Sequence, residues 1–168
     1  MRLALLALAL VSGCAAPRPD PATSAAGTPA LPSSGPVVTM DRTVCYGTCP
    51  AYTVTAHADG RVVFEGREHV ARVGAAKWRV TPAVVAGLVA AAERAGHAGF
   101  PDDLSGPDAC PQEATDGATT TTTVRTAAAT KRVAHYSGCH GFAGRETLRA
   151  FEDEVDRALG TTAYVGPR

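Results

Sequence analysis

The side chains best equipped for chemistry in this chain are Cys45, Cys49, Cys110 and Cys139, with His135 and His140 beside the last of them. Thiolates and imidazoles are ligands that suit zinc and copper, and paired cysteines carry thiol–disulfide exchange. Two chemistries therefore compete with a structural role. One is a thiol-redox pair at Cys45 and Cys49, and the other is a metal site drawn from Cys45, Cys49, Cys139 and His140. The spacing favours neither. Three residues separate Cys45 from Cys49, where redox pairs at a helix N-terminus have two, and Pro50 follows in place of a helix start. The carboxylates of Asp102, Asp103, Asp108 and Asp116 lack the alternation of a calcium loop. Around Cys139, Ser137-Gly138-Cys139-His140-Gly141 is not a Gly-x-Ser-x-Gly nucleophile elbow. The reading accordingly leans away from an enzyme and assigns no catalytic residues, no metal and no cofactor, with a thiol-redox or metal-binding protein using Cys45, Cys49, Cys139 and His140 as the alternative.

The N-terminus says where such a chain would work. Met1-Arg2 is a minimal positive start, and residues 3–11 are an unbroken apolar run, too short to span a bilayer and shaped like a secretory signal. Val11-Ser12-Gly13-Cys14 resembles the lipobox of bacterial lipoproteins, in which the cysteine receives diacylglycerol and becomes the new N-terminus. Each buried CH₂ contributes about 0.8 kcal/mol, so two or three acyl chains on Cys14 would anchor the protein lastingly. The expectation is a signal peptide over 1–13 and a lipid-anchored protein of the cell envelope. Ala15 after the lipidated cysteine points to the outer membrane in a Gram-negative organism, and otherwise the outer face of the plasma membrane would hold it. Residues 14–36 are rich in Pro, Ala, Ser and Thr, without apolar periodicity, and read as an unstructured tether. With Arg2 removed, 15 basic side chains face 16 acidic ones. That balance argues against nucleic acid as a partner and against an electrostatic membrane site. The expected partners are the membrane, through the lipid on Cys14, and an unknown envelope protein or glycan.

The elements that would position the cysteines follow from residue 37, in one domain over 37–165. Residues 37–43 are rich in β-branched side chains and read as a strand, and 51–57 alternate, with Tyr52, Val54 and Ala56 on one side. Asp59-Gly60 signals a hairpin turn into a strand over 61–66, and a weaker strand or bend covers 70–80, with Trp78 sealing an edge of the core. Thr81-Pro82 opens a helix that Gly96 ends. His97, just past it, reads as a solvent residue, as do His57 and His69 on strand surfaces. Residues 100–117 read as a loop. Five threonines, 119–123, begin a strand over 119–125 and are expected to give it a solvent face, and a second strand covers 131–136. A helix over 145–159 carries Leu148, Phe151, Val155 and Leu159 on one face. This order predicts an α+β fold, an antiparallel sheet of four to six strands with two helices packed on one side.

In an exported protein an even number of cysteines suits disulfides, and four cysteines allow three pairings. The motif Cys45-Tyr46-Gly47-Thr48-Cys49-Pro50-Ala51-Tyr52, then Asp59-Gly60 and a Val/Phe strand, resembles bacterial lipoproteins carrying domain of unknown function 6438. The similarity extends through Thr115-Asp116-Gly117, His135-Tyr136-Ser137-Gly138-Cys139 and the final helix, with the usual aromatic ending present only as Tyr164. The resemblance implies an envelope lipoprotein domain and brings no activity with it. The pairing expected is Cys45 with Cys49, because they are local, and Cys110 with Cys139. The first link would shape a rigid turn presenting Tyr46, Gly47 and Thr48 for binding.

Overall fold

The computed structural model describes residues 30–167; the expected signal peptide, Cys14 and the part of the expected tether up to residue 29 lie outside the described residues. Four strands come first, β1 (Pro36–Arg42), β2 (Ala51–His57), β3 (Arg61–Glu68) and β4 (Gly74–Arg79). Helix α1 (Pro82–Arg94) precedes β5 (Asp103–Leu104), the short turn α2 (Gly106–Ala109) and β6 (Gln112–Glu113). Strands β7 (Thr119–Arg125), β8 (Thr130–Tyr136) and β9 (Cys139–His140) lead to α3 (Arg145–Leu159) and α4 (Thr162–Val165). The main sheet runs β4-β3-β2-β1-β7-β8-β5, and β6 pairs with β9. The domain is mixed α+β with a large, mostly antiparallel sheet.

The expected four to six strands are seven in that sheet, and the described residues hold four helices where two were expected. The added pieces come mainly from 100–117, which a loop reading missed. There, β5 joins β8 in parallel register, Asp103 opposite Ala134 and Leu104 opposite His135. Leu104, Val133 and Leu148 form a small second core beside Phe100 and Phe142. Burial of one leucine orders a two-residue strand too short to show any periodicity. The weak segment over 70–80 contains β4 only from Gly74, because His69 at φ 54° turns the chain first. Trp78 stacks on Tyr164 at 4.4 Å between ring centroids and donates its indole N–H to the Leu159 carbonyl, closing the core at that edge.

The main core explains the rest. Alternate residues Val38 and Met40, Tyr52 and Val54, and Val62 and Phe64 are buried on β1, β2 and β3, as the pleat requires. Val85, Leu88 and Val89 of α1 and Phe151, Val155 and Leu159 of α3 join them. Thr81 and Pro82 start α1, and Gly160 at φ 72° stops α3. Between β2 and β3, Gly60 adopts φ 81°, and a side chain there would meet the Val80 carbonyl oxygen at 2.1 Å. None of the described helices is long and apolar enough to cross a membrane.

Strand pairing also fixes the ends of the molecule. Pro36 lies opposite His57, and Val38 opposite Val124, so the chain enters the sheet beside the β2–β3 and β7–β8 turns. Arg42 lies opposite Tyr52 and Thr120, so the β1–β2 connection, residues 43–50, emerges at the opposite end. Seven strand residues put these two ends about 20 Å apart.

Candidate functional site

The connection over 43–50 is the candidate site. Cys45 is bonded to Cys49, with their Cα atoms 5.5 Å apart. In an extended strand that separation would be about 13 Å, so the chain must turn through Tyr46-Gly47-Thr48, and the Gly47 N–H donates to the Cys45 carbonyl at 2.9 Å. Tyr46 stands 90% exposed at the tip, far beyond the other large apolar side chains at this end. Its backbone N–H donates to the Asp116 carbonyl at 3.1 Å, which stitches the turn to the neighbouring loop. Below it, the Thr43 N–H donates to the Thr119 carbonyl and the Thr119 N–H donates to Thr43 Oγ1.

The stems of this loop rest on a buried polar network. Arg42, three residues before Cys45, donates through Nε to the Tyr52 hydroxyl at 3.0 Å. It also donates through Nη1 to Thr120 Oγ1 at 2.9 Å and through Nη2 to Asp156 Oδ2 at 3.1 Å. Tyr52, three residues after Cys49, donates its own hydroxyl to Asp156 Oδ1 at 2.5 Å. Thr161 Oγ1 donates to that same carboxylate oxygen. Both stems are thus bolted to α3 through one buried carboxylate. Burial works against the Arg42 charge, but Tyr52, Asp156 and Glu152 outweigh it and hold the guanidinium above its ordinary pKa. One turn along α3, Glu152 Oε1 lies 2.9 Å from His135 Nδ1, with both side chains buried.

Several residues lie elsewhere than the sequence reading put them. His97 is 2% exposed, with Nε2 2.8 Å from Thr122 Oγ1, because the turn after α1 tucks it against β7. The threonine run is not simply a solvent face. Thr120 and Thr122 point into the core as partners of Arg42 and His97, while Thr119, Thr121 and Thr123 stay half-buried on the alternate side. Cys139 is bonded to Cys110, Cα to Cα 5.3 Å, and His140 pairs with Gln112 across β6–β9. Asp102 pairs with Lys131, and Asp103 accepts a hydrogen bond from Ser105. Among the described residues, no three His, Cys, Asp or Glu side chains are grouped to hold a metal ion. A mostly apolar cavity of about 290 Å³ lies between α1 and the β7–β8 turn, lined by Val89, Ala92, His97, Val124 and Ala129.

Burial and the nearby Lys131 charge push the His97 imidazole down to about 4. The unfolded chain binds that proton near the ordinary value of 6.5, whereas the folded chain resists it until about 4. Stability should therefore fall as pH drops from 6.5 to 4, by as much as about 3 kcal/mol from this group. Urea unfolding at both pH values should show a smaller drop for His97→Gln than for the wild type. An identical drop in the two proteins would contradict the assignment to His97.

The network was legible in one respect that a binary reading passes over. Leu148, Phe151, Glu152, Val155, Asp156 and Leu159 share the buried face of α3, so two acids sit in phase with its apolar positions. Arg42 continues the Val38–Met40 alternation in the same way. A comparison with curated proteins finds no match. The family comparison matches residues 36–159, from the first residue of β1 to the last of α3, to a domain of unknown function. The chain belongs to the family defined by that domain, DUF6438.

Proposed function

We propose that the protein is a non-catalytic binding module of the cell envelope, anchored in a membrane through lipid on Cys14, that presents the Tyr46 loop to another envelope component. The observation that carries this reading is the fully projected Tyr46 on a loop closed by the Cys45–Cys49 bond, at the end of the sheet opposite the point where the chain enters. A tether from that point would hold the Tyr46 end outward. An exposed aromatic on a rigid support contributes contact area at small entropic cost, which is why tyrosine recurs among the residues that dominate interfaces. The reading also takes α1 and α3 to cover one face of the sheet, which the alternating burial of β1, β2 and β7 supports.

Cys14→Ser tests the anchor. The variant should leave the membrane fraction or accumulate as an uncut precursor, and the wild-type mature chain should carry the mass of acyl groups on Cys14. A Cys14→Ser protein that is cut and stays with the membrane would overturn the lipid anchor.

A further inference from the structure

The overall charge hides an uneven distribution. Leaving out Arg2, Arg18 and Arg168, and Asp20, the described residues carry 13 basic and 15 acidic side chains, a formal −2. The end where the chain enters has the opposite sign. Arg61 lies directly across from Arg79 on β3 and β4, a like-charge pair that costs the sheet some stability. Lys77 is exposed two residues away on β4. Arg61 Nη2 lies 3.0 Å from His57 Nδ1, and burial first, then the Arg61 and Arg125 charges, disfavour a proton on that ring. Arg125 clasps the incoming chain, donating through Nε to the Pro36 carbonyl at 2.8 Å and through Nη2 to the Ser34 carbonyl. Asp59, 3.4 Å from Arg79, and Glu65, diagonal to Lys77 on the same face, are the acids in this group, which leaves Arg61, Lys77, Arg79 and Arg125 in excess by two charges.

We infer that this end, built by Arg61, Lys77, Arg79 and Arg125, is a docking surface for the anionic headgroups of the membrane that holds the protein. The inference rests on the reading that Cys14 is lipidated. Ala30 is already fixed, its carbonyl accepting from the Ala127 N–H in the β7–β8 turn. Sixteen residues from Cys14 to Pro29 would then connect lipid to domain, and a random chain of that length reaches about 22 Å. A tether that short raises the effective concentration of headgroups around the basic end, so a weak electrostatic contact suffices to orient the domain. The balance of the whole chain, which argues against such a site, averages this basic end with a remainder that carries more acidic than basic side chains. Docked this way, the Tyr46 loop faces away from the bilayer.

Lys77 reports the contact directly. The lipidated full chain is reconstituted into vesicles of phosphatidylcholine alone, or with half the lipid replaced by phosphatidylglycerol, and treated with a neutral amine reagent. Modification of Lys77 should be at least about fivefold slower on the anionic vesicles, and high salt should erase the difference. The exposed double variant Arg61→Gln/Arg79→Gln should erase it too, with an unchanged circular dichroism spectrum. Should that variant misfold, loss of protection at high salt in the wild type carries the same information. Equal modification on both vesicles would overturn the inference, as would binding to a soluble polyanion without any vesicle contrast. The intact mass is read separately. A chain without acyl groups would sink the anchor reading alone, because the same labelling then compares vesicles added in excess.

Discussion

Replacing Asp156 by alanine should destabilise the fold by about 3–5 kcal/mol, the largest single effect expected in this domain. The carboxylate takes hydrogen bonds from Arg42, Tyr52 and Thr161, and the Arg42 side chain is only 15% exposed. Alanine would leave a guanidinium in the interior facing a lost partner, and such a charge costs far more stranded than paired. Glu152 feels the same guanidinium and offsets part of the loss, which favours the lower half of that range. Asp156→Asn keeps the shape and an acceptor, and it should cost less. Urea unfolding measures both. A loss under about 1 kcal/mol for Asp156→Ala would show that the network is not what fastens α3 to the strands. Hydrogen exchange gives a second readout. Because Arg42 and Tyr52 are the stems of the Tyr46 loop, the Tyr46 N–H should exchange faster in Asp156→Asn even while the sheet amides stay protected.

The Cys110–Cys139 link carries the next largest expectation. It closes a loop of 30 residues, counting both cysteines, that takes in β6 and the whole β7–β8 hairpin. By the chain-entropy argument such a link stabilises by about 3.6 kcal/mol, against about 2 kcal/mol for a loop of five residues like that closed by Cys45–Cys49. Cys110→Ala/Cys139→Ala should thus be the costlier double variant, and residues 101–117 should become the first site of proteolytic cutting. The short strands there leave little else to hold them. Equal melting of the two double variants, or cutting at 43–50 first, would contradict that ordering. Peptide mapping without reductant reads the pairing independently.

How much of this was written legibly in the sequence depends on the period of each signal. Tyr52, Val54 and Ala56 alternate without exception, and Asp59-Gly60 marks the turn after them, so β2 was readable residue by residue and β3 all but its last two residues. Leu148 to Leu159 repeat at helical spacing and end at a glycine, so α3 was readable as well. The segment from Phe100 to Gly117 was not, since β5, β6 and α2 run two to four residues each and show no period. They are ordered by Leu104 in its small core and by the Cys110–Cys139 bond, both of which depend on residues roughly 30 positions away. The buried polar set failed for a different reason. His97, Thr122, Arg42 and Asp156 are residues whose usual place is water, and only partners 25 to 114 positions distant make the interior tolerable for them. The candidate site itself was readable as a cysteine-closed turn around Tyr46. Its tie to α3 was not, because nothing local to residues 43–50 mentions Asp156.

The central claim is that the Tyr46 loop is the face this protein offers to a partner. It is tested most directly in cells that make the protein. A photoreactive residue is placed at Tyr46 or Thr48 in the otherwise native chain, and the same residue is placed at Arg94 on α1 as a control. On illumination, positions 46 and 48 should yield one discrete crosslinked product that Arg94 does not, and Cys45→Ser/Cys49→Ser should abolish it while leaving the protein folded. Illumination that gives no product at 46 and 48, or the same products at all three positions, would contradict the account.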